Sequence, residues 1–267
     1  MKKHILLTND DGILSPGLWS AAQALSGLGF VHVVAPREQW SGAGRSLPNS
    51  SDGIITPKLV TVNGVDWTVY SVGGTPAQSV LHALLEILPV RPDLVVSGIN
   101  YGENIGSGVT ISGTVGAALE AAAAGIPALA VSLETDLEHH LSYSNEVDFS
   151  AAAYFAQTFA RILLARKMPL DVDVLKVDVP NSATVQTPWR LTRQSRLAYF
   201  DPVRPDRVSW EQPACLGYRH SPHRDHAEPG TDVHTLRTLR EVSVTPLSVD
   251  LTSRISAAEL EEFIHPD

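Results

Sequence analysis

The segment His4–Gly17, HILLTNDDGILSPG, constrains the fold more than any other part of the chain. Ile5, Leu6 and Leu7 form a short apolar run with strand character, and Asn9, Asp10, Asp11 and Gly12 follow Thr8 without a gap. Ser15 and Pro16 are residue types that open a helix, a side-chain cap followed by a residue whose φ is already fixed. A buried strand that stops at two adjacent carboxylates and turns at once into a helix is the first unit of an open α/β sheet. Ligands of such sheets bind beyond the carboxyl ends of the strands, so Asp10 and Asp11 stand where chemistry is expected. Taken alone, Asp-Asp-Gly reads equally well as a turn or capping motif.

The rest of the chain repeats that alternation. A helix over 16–25 ends at Gly27 and Gly29, and Phe30–Ala35 is a second buried strand. Pro36–Pro48 is a loop rich in Ser, Gly and Arg, and Ser51–Tyr70 breaks into short strand-like pieces with a hairpin signal at Asn63-Gly64. Val69–Val72 leads to Gly73-Gly74-Thr75-Pro76, where Thr75 caps a helix running to about Leu88. Asp93–Ser97 is a strand that opens a glycine-rich tract, Gly98–Gly113; Thr114–Ala124 is an alanine-rich helix stopped by Gly125. A strand over 128–133, a helix over 147–166 and a strand over 172–177 follow. Alternating strands and helices predict a mostly parallel sheet covered on both faces. The pattern breaks near residue 181, so 1–180 is expected to be the catalytic core. Residues 181–267 are expected to be an extension with a β-hairpin, a strand over 242–245 and a terminal helix over 256–264, completing the core and making subunit contacts. Ser256 and Glu259 form a capping box for that helix.

With 267 residues and 43% hydrophobic content, the chain is long and apolar enough for a substantial core. A net charge of −9 speaks against a general nucleic-acid binder, though a bound cation can still supply positive charge to a small anionic substrate. The single cysteine, Cys215, rules out an internal disulfide and a thiolate metal cluster. No signal-peptide pattern and no apolar run long enough for a membrane span are evident, so a cytoplasmic protein without membrane contact is expected. The first strand is followed by NDDG and not by a G-x-G-x-x-G turn, which leaves dinucleotide oxidoreduction unsupported.

Three further tracts each follow a strand and can meet Asp10 and Asp11 at one rim of the sheet: Ser41-Gly42-Ala43-Gly44, Gly98-Ile99-Asn100-Tyr101-Gly102-Glu103-Asn104, and Ser112-Gly113-Thr114. Side-chain oxygens from the first two, joined to the carboxylates, make a hard ligand set that suits Mg²⁺ or Mn²⁺ and not Zn²⁺. The third opens a helix, whose free N–H groups favour phosphate. A metal beside a phosphate site suggests hydrolysis of a phosphate ester, with the metal activating water and neutralising phosphoryl charge.

TNDDG, APREQWSGAG, GGTPA, SGINYGENIG, SGTVGAA, TRQSR and SVTPL, in that order along most of the chain, resemble the SurE survival-protein family. That family consists of metal-dependent nucleoside monophosphate phosphatases acting on 5′- and 3′-monophosphates. The resemblance implies a Rossmann-like core with a C-terminal extension exchanged between subunits of a homodimer or homotetramer. It assigns Asp10, Asp11, Ser41 and Asn100 as ligands of one divalent cation per subunit. It places Asn9, Asn104, Ser112, Gly113 and Thr114 near the phosphate, with the hydroxyls of Ser112 and Thr114 and the N–H of Gly113 as donors. Asp10 and Asp11 are the candidate catalytic residues, either orienting a water or attacking phosphorus directly. Gly230-Thr231-Asp232 matches a family run, whereas Leu239-Arg240-Glu241 stands where the family tends to have a glycine and an aromatic.

Two rivals accompany this reading: a broader phosphatase that also takes short polyphosphate, and a non-catalytic nucleotide sensor. Several weaker signals stay open. Arg45, in place of a histidine common in the family, could touch substrate or lie in solvent. His220, His223 and His226 read as a solvated loop, as do His139 and His140, and Trp189, Tyr199, Trp210 and Tyr218 as residues of a subunit contact.

Overall fold

The computed structural model describes residues 2–265. Eleven strands occur in chain order: β1 (Lys3–Thr8), β2 (Gly29–Pro36), β3 (Ile55–Val62), β4 (Val65–Val72), β5 (Leu94–Tyr101), β6 (Ala128–Leu133), β7 (Val174–Val179), β8 (Trp189–Leu191), β9 (Phe200–Val203), β10 (Gly217–His220) and β11 (Val242–Leu247). The α-helices are α1 (Pro16–Leu25), α2 (Pro76–His82), α3 (Gly113–Ala123), α4 (Ser150–Ala165), the single turn α5 (Asp232–His234) and α6 (Ala257–Ile264).

Nine strands form one sheet in the order β3-β4-β2-β1-β5-β6-β7-β11-β8. From β4 through β2, β1, β5 and β6 to β7 the pairing is parallel; the β3–β4 hairpin and β11 against β7 are antiparallel. The apolar runs explain the layering. Ile5 and Leu7 of β1 enter one hydrophobic core while Leu6 enters the other, and Leu94 and Val96 of β5 likewise oppose Val95. Strands buried on both faces read as continuous apolar runs because successive side chains alternate between faces. Helices α1 and α4 cover one face, and α2 and α3 the other. The chain moves outward from β1 to β2, then crosses back to place β5 on β1's other side, so the sheet reverses its winding between β1 and β5.

Local choices follow the sequence closely, with instructive departures. Asn63 and Gly64 both have positive φ, 48° and 76°, as a two-residue hairpin turn of this kind requires. Helix α2 has both halves of a capping box between Thr75 and Gln78, but beyond His82 it continues as a π-helical turn, Ala83–Ile87. The largest departure is in β5. The sequence suggests a strand ending at Ser97, yet the strand runs through a register irregularity between Ser97 and Asn100 and ends at Tyr101. Gly98 permits this: its φ is +129°, and a Cβ there would meet the Val131 carbonyl oxygen at 2.2 Å.

The extension completes the main sheet with β11 and the edge strand β8. Its β9–β10 hairpin forms a separate two-stranded sheet, and Tyr199, Val233 and Leu236 build a small third core with Ile105 of the glycine-rich tract. Arg240 sits at φ 54° and donates to both oxygens of Glu134, at 2.9 and 2.5 Å. Helix α6 has the expected capping box between Ser256 and Glu259 and no buried residue. Of the four aromatics expected at a subunit contact, Tyr199 is buried within its own chain, while Trp189, Trp210 and Tyr218 are exposed. Cys215 is a free, exposed thiol. No helix among the described residues is long and apolar enough to cross a membrane.

Candidate active site

The turn after β1 is shaped by Asn9. Its amide nitrogen donates to the Gly12 carbonyl at 3.0 Å and its amide oxygen accepts the Gly12 N–H at 3.1 Å. Gly12, at φ +92°, allows the chain to fold back in this ring. Asn9 is fully buried, so its side chain sets the direction of the carboxylates that follow, with both polar atoms already engaged.

Those carboxylates are buried and held by different elements. Asp10 accepts a short hydrogen bond from the Thr114 hydroxyl, and the main-chain amides of Thr114 and Gly113 also face it. It therefore occupies the positive end of α3, where an anion is favoured. Glycine is required at 113, because a Cβ would lie 2.7 Å from the Asp10 Cβ. Asp11 accepts the Tyr101 N–H at 3.2 Å through one oxygen and the Gln39 amide at 3.1 Å through the other. Burial raises the pKa of both aspartates, and the charge of Asp10 raises that of Asp11 further. Among the described residues no lysine or arginine offsets either charge.

The loop after β2 is tied to this pair. The Trp40 N–H donates to the Asp10 carbonyl at 2.7 Å, and Ser41 follows in an exposed turn. Further on, the Gly44 N–H donates to the Ile111 carbonyl at 2.9 Å, and a Cβ at Gly116 would lie 2.2 Å from the Gly44 oxygen. The loop is thus packed against the start of α3. Arg45 pairs with Glu120 at 2.7 Å while its side chain stays exposed to solvent.

Asn100 stands at the end of β5, next to the residue whose amide holds Asp11. Its Nδ2 donates to the Tyr101 and Gly102 carbonyls at 3.2 and 2.7 Å, which leaves Oδ1 without a partner among the described residues. Asn104 donates through its main chain to Asp178 at 2.8 Å and through its side chain to the Ser132 hydroxyl at 2.8 Å. Ser112 caps α3 by accepting the Val115 N–H at 3.1 Å. The structure therefore joins Asp10, Asp11, the Trp40–Ser41 turn, the end of β5 and the start of α3 through direct hydrogen bonds at the reversal point of the sheet. It engages Asn9, Ser112 and the Thr114 hydroxyl within the protein.

Two residues escape sequence reasoning. Gln39 bridges the Asp11 carboxylate and the His140 carbonyl, the latter at 2.7 Å. Tyr143 donates its hydroxyl to the Asp11 carbonyl at 2.9 Å. Both depend on the loop over 136–146 passing above the site, which no local pattern announces. His140, expected in solvent, is buried, with its ring Nδ1 3.0 Å from the Tyr218 hydroxyl. Apart from the central pair, Asp136, Glu138 and His139 bring ligand atoms within 4.8 Å of one another, but the two carboxylates are solvent-exposed. His220, His223 and His226 form no such group among the described residues.

The family model of Survival protein SurE matches residues 5–201. The chain belongs to the SurE family. Relatives described as 5′-nucleotidase SurE are similar to it along nearly their whole length. The one from Thermococcus kodakarensis is 40% identical, covering 98% of each chain. Another, from Archaeoglobus fulgidus, is 43% identical over 94% of this chain and 93% of its own. The crystal structure of the SurE protein from Aquifex aeolicus has a TM-score of 0.74 and 31% identity, covering 98% of this chain and all of that one. The α/β fold with its mostly parallel sheet is thus the fold of the family.

Proposed function

We propose that this SurE-family chain is a phosphomonoesterase that hydrolyses nucleoside 5′- and 3′-monophosphates to nucleoside and phosphate, using one divalent cation, Mg²⁺ or Mn²⁺, per subunit. The observation that carries this reading is the buried Asp10–Asp11 pair at the sheet's reversal point, beside the N-terminus of α3. The 5′-nucleotidase description of full-length relatives supports the same substrate class.

The donor set fits a hard cation. Two buried carboxylates of like charge, with no basic partner among the described residues, are costly unless a cation neutralises them. Asn100 Oδ1 is left free by its own amide's bonds, and Ser41 adds a hydroxyl in the adjoining turn. Asp10, Asp11, Ser41 and Asn100 would hold the ion. When bound, it would supply charge against the phosphoryl oxygens and lower the pKa of water.

The remaining work falls to the chain's own groups. The start of α3, with Ser112, Gly113 and Thr114, and Asn104 from the adjoining loop would seat the phosphate. There its developing negative charge meets the field of the helix N-terminus that Asp10 also faces. Thr114 would steer one oxygen of Asp10 through its hydroxyl, leaving the other for the ion. Gln39 and the Tyr101 amide fix the orientation of Asp11, so its carboxylate needs no reorganisation during the reaction. Asp10 or Asp11 would orient the attacking water, or one would attack phosphorus itself; trapping a phosphorylated aspartate decides between them. The same reading includes a homo-oligomer in the cytoplasm, with the extension at the contacts. The exposed apolar residues of α6 and of the segment between β9 and β10 support that assembly.

Phosphate release from AMP is the direct test. EDTA-stripped enzyme should be inactive and regain turnover with Mn²⁺ or Mg²⁺. Asp10→Asn and Asp11→Asn should each lower kcat by at least ~10²-fold with the circular dichroism of the parent. Full activity after EDTA stripping would overturn the proposal.

A further inference from the structure

Tyr143 is 42% exposed, and its polar tip is tied to the rim of the site. Its hydroxyl donates to the main-chain carbonyl of Asp11 at 2.9 Å. The loop that carries it is pinned on both sides of that bond. The Gln39 amide donates to the His140 carbonyl at 2.7 Å while also holding Asp11, and the Tyr101 hydroxyl donates to the Ser144 carbonyl at 2.8 Å. All three ties run to the site's own elements, so the ring is fixed relative to the aspartates while part of it stays open to solvent. An exposed aromatic pinned by its polar tip loses little rotational freedom when a planar ligand settles on it.

We propose that the ring of Tyr143 is the platform on which the base of the nucleotide stacks while its phosphate lies at α3. The proposal rests on the nucleotidase reading and adds a binding subsite to it. The nearby charge of Glu38 disfavours a second anionic group at this place and accepts a neutral, planar one. A nucleobase has that chemistry, and stacking on a tyrosine serves every base because each has a π-face. The subsite therefore favours nucleotides over plain sugar phosphates with little preference among bases.

The test compares AMP with ribose 5-phosphate, which lacks only the base, for the parent enzyme, Tyr143→Ala and Tyr143→Phe, all with Mn²⁺. Tyr143→Ala should raise KM for AMP by roughly ten- to a hundredfold more than it raises KM for ribose 5-phosphate, whatever the loss of the hydroxyl's bond to Asp11 does to both. Tyr143→Phe keeps the ring and should retain most of the AMP affinity. Equal losses on both substrates would reduce Tyr143 to a latch for the loop, and no loss on either would remove it from the site; both overturn the proposal. If the parent enzyme releases phosphate from neither substrate, the nucleotidase reading fails, and saturation-transfer NMR of adenosine decides the platform by itself. A signal lost in Tyr143→Ala upholds it, and an unaltered or absent signal overturns it.

Discussion

Glu103 is a buried carboxylate that no basic side chain among the described residues meets, with only the Tyr199 hydroxyl facing it. Burial raises its pKa to about 7, with the charges of Glu134 and Asp178 adding to the effect. The unfolded chain releases this proton near the ordinary 4.5, whereas the folded chain holds it to about 7. Its contribution to stability is therefore complete below the lower value, falls as pH rises between the two, and is gone above about 7. The total is about 3 kcal/mol. Glu103→Gln keeps the shape of the neutral acid, so urea unfolding of the variant should gain that amount over the parent at pH 8 and almost nothing at pH 4. An equal gain at both values would refute the assignment. Side chains in contiguous motifs, such as Asp10 and Asp11, were legible from the sequence because strand, turn and helix signals converge on them. The partners Gln39 and Tyr143 were not, because their roles arise from a loop folded back across the site.

At the scale of elements, the parallel sheet and its helices could be read from alternating apolar runs and glycine or proline boundaries. The path of β5 could not, since a glycine that marks a loop elsewhere carries the strand onward here. Equally hidden was the link between core and extension. Lys176 on β7 is fully buried and reaches Asp178 at 2.5 Å and Asp232 at 3.3 Å. Burial alone would lower its pKa, but the two carboxylates outweigh that and raise it. Asp178 in turn accepts the Asn104 N–H, and Asp232 accepts those of Gly106, at 3.2 Å, and Ser195, at 2.8 Å. One ammonium thus braces the glycine-rich loop at Asn104–Gly106 against the extension. Lys176→Met leaves two carboxylates unpaired in the interior and should cost about 3–5 kcal/mol in urea unfolding. Adding Asp178→Asn and Asp232→Asn should restore most of it. Failure of that rescue would mean that lost packing, and not unpaired charge, sets the cost.

At the scale of the whole molecule, the extension divides into a part the core needs and a part it does not. Strands β8 and β11 complete the main sheet, whereas α6 buries nothing against its own chain, with Phe263 79% exposed. Truncation after Val249 should therefore leave the thermal midpoint unchanged and shift sedimentation toward smaller species. An unchanged sedimentation coefficient would remove α6 from the assembly. The sheet order has a separate consequence. Strands β1 and β5 are interior, with three strands beyond one and four beyond the other. Their amides should exchange with deuterium only through global unfolding, while those over 39–45 and 136–146 exchange through local opening. Substrate entry and product departure must then be timed by the roof of the site, above a floor that stays still.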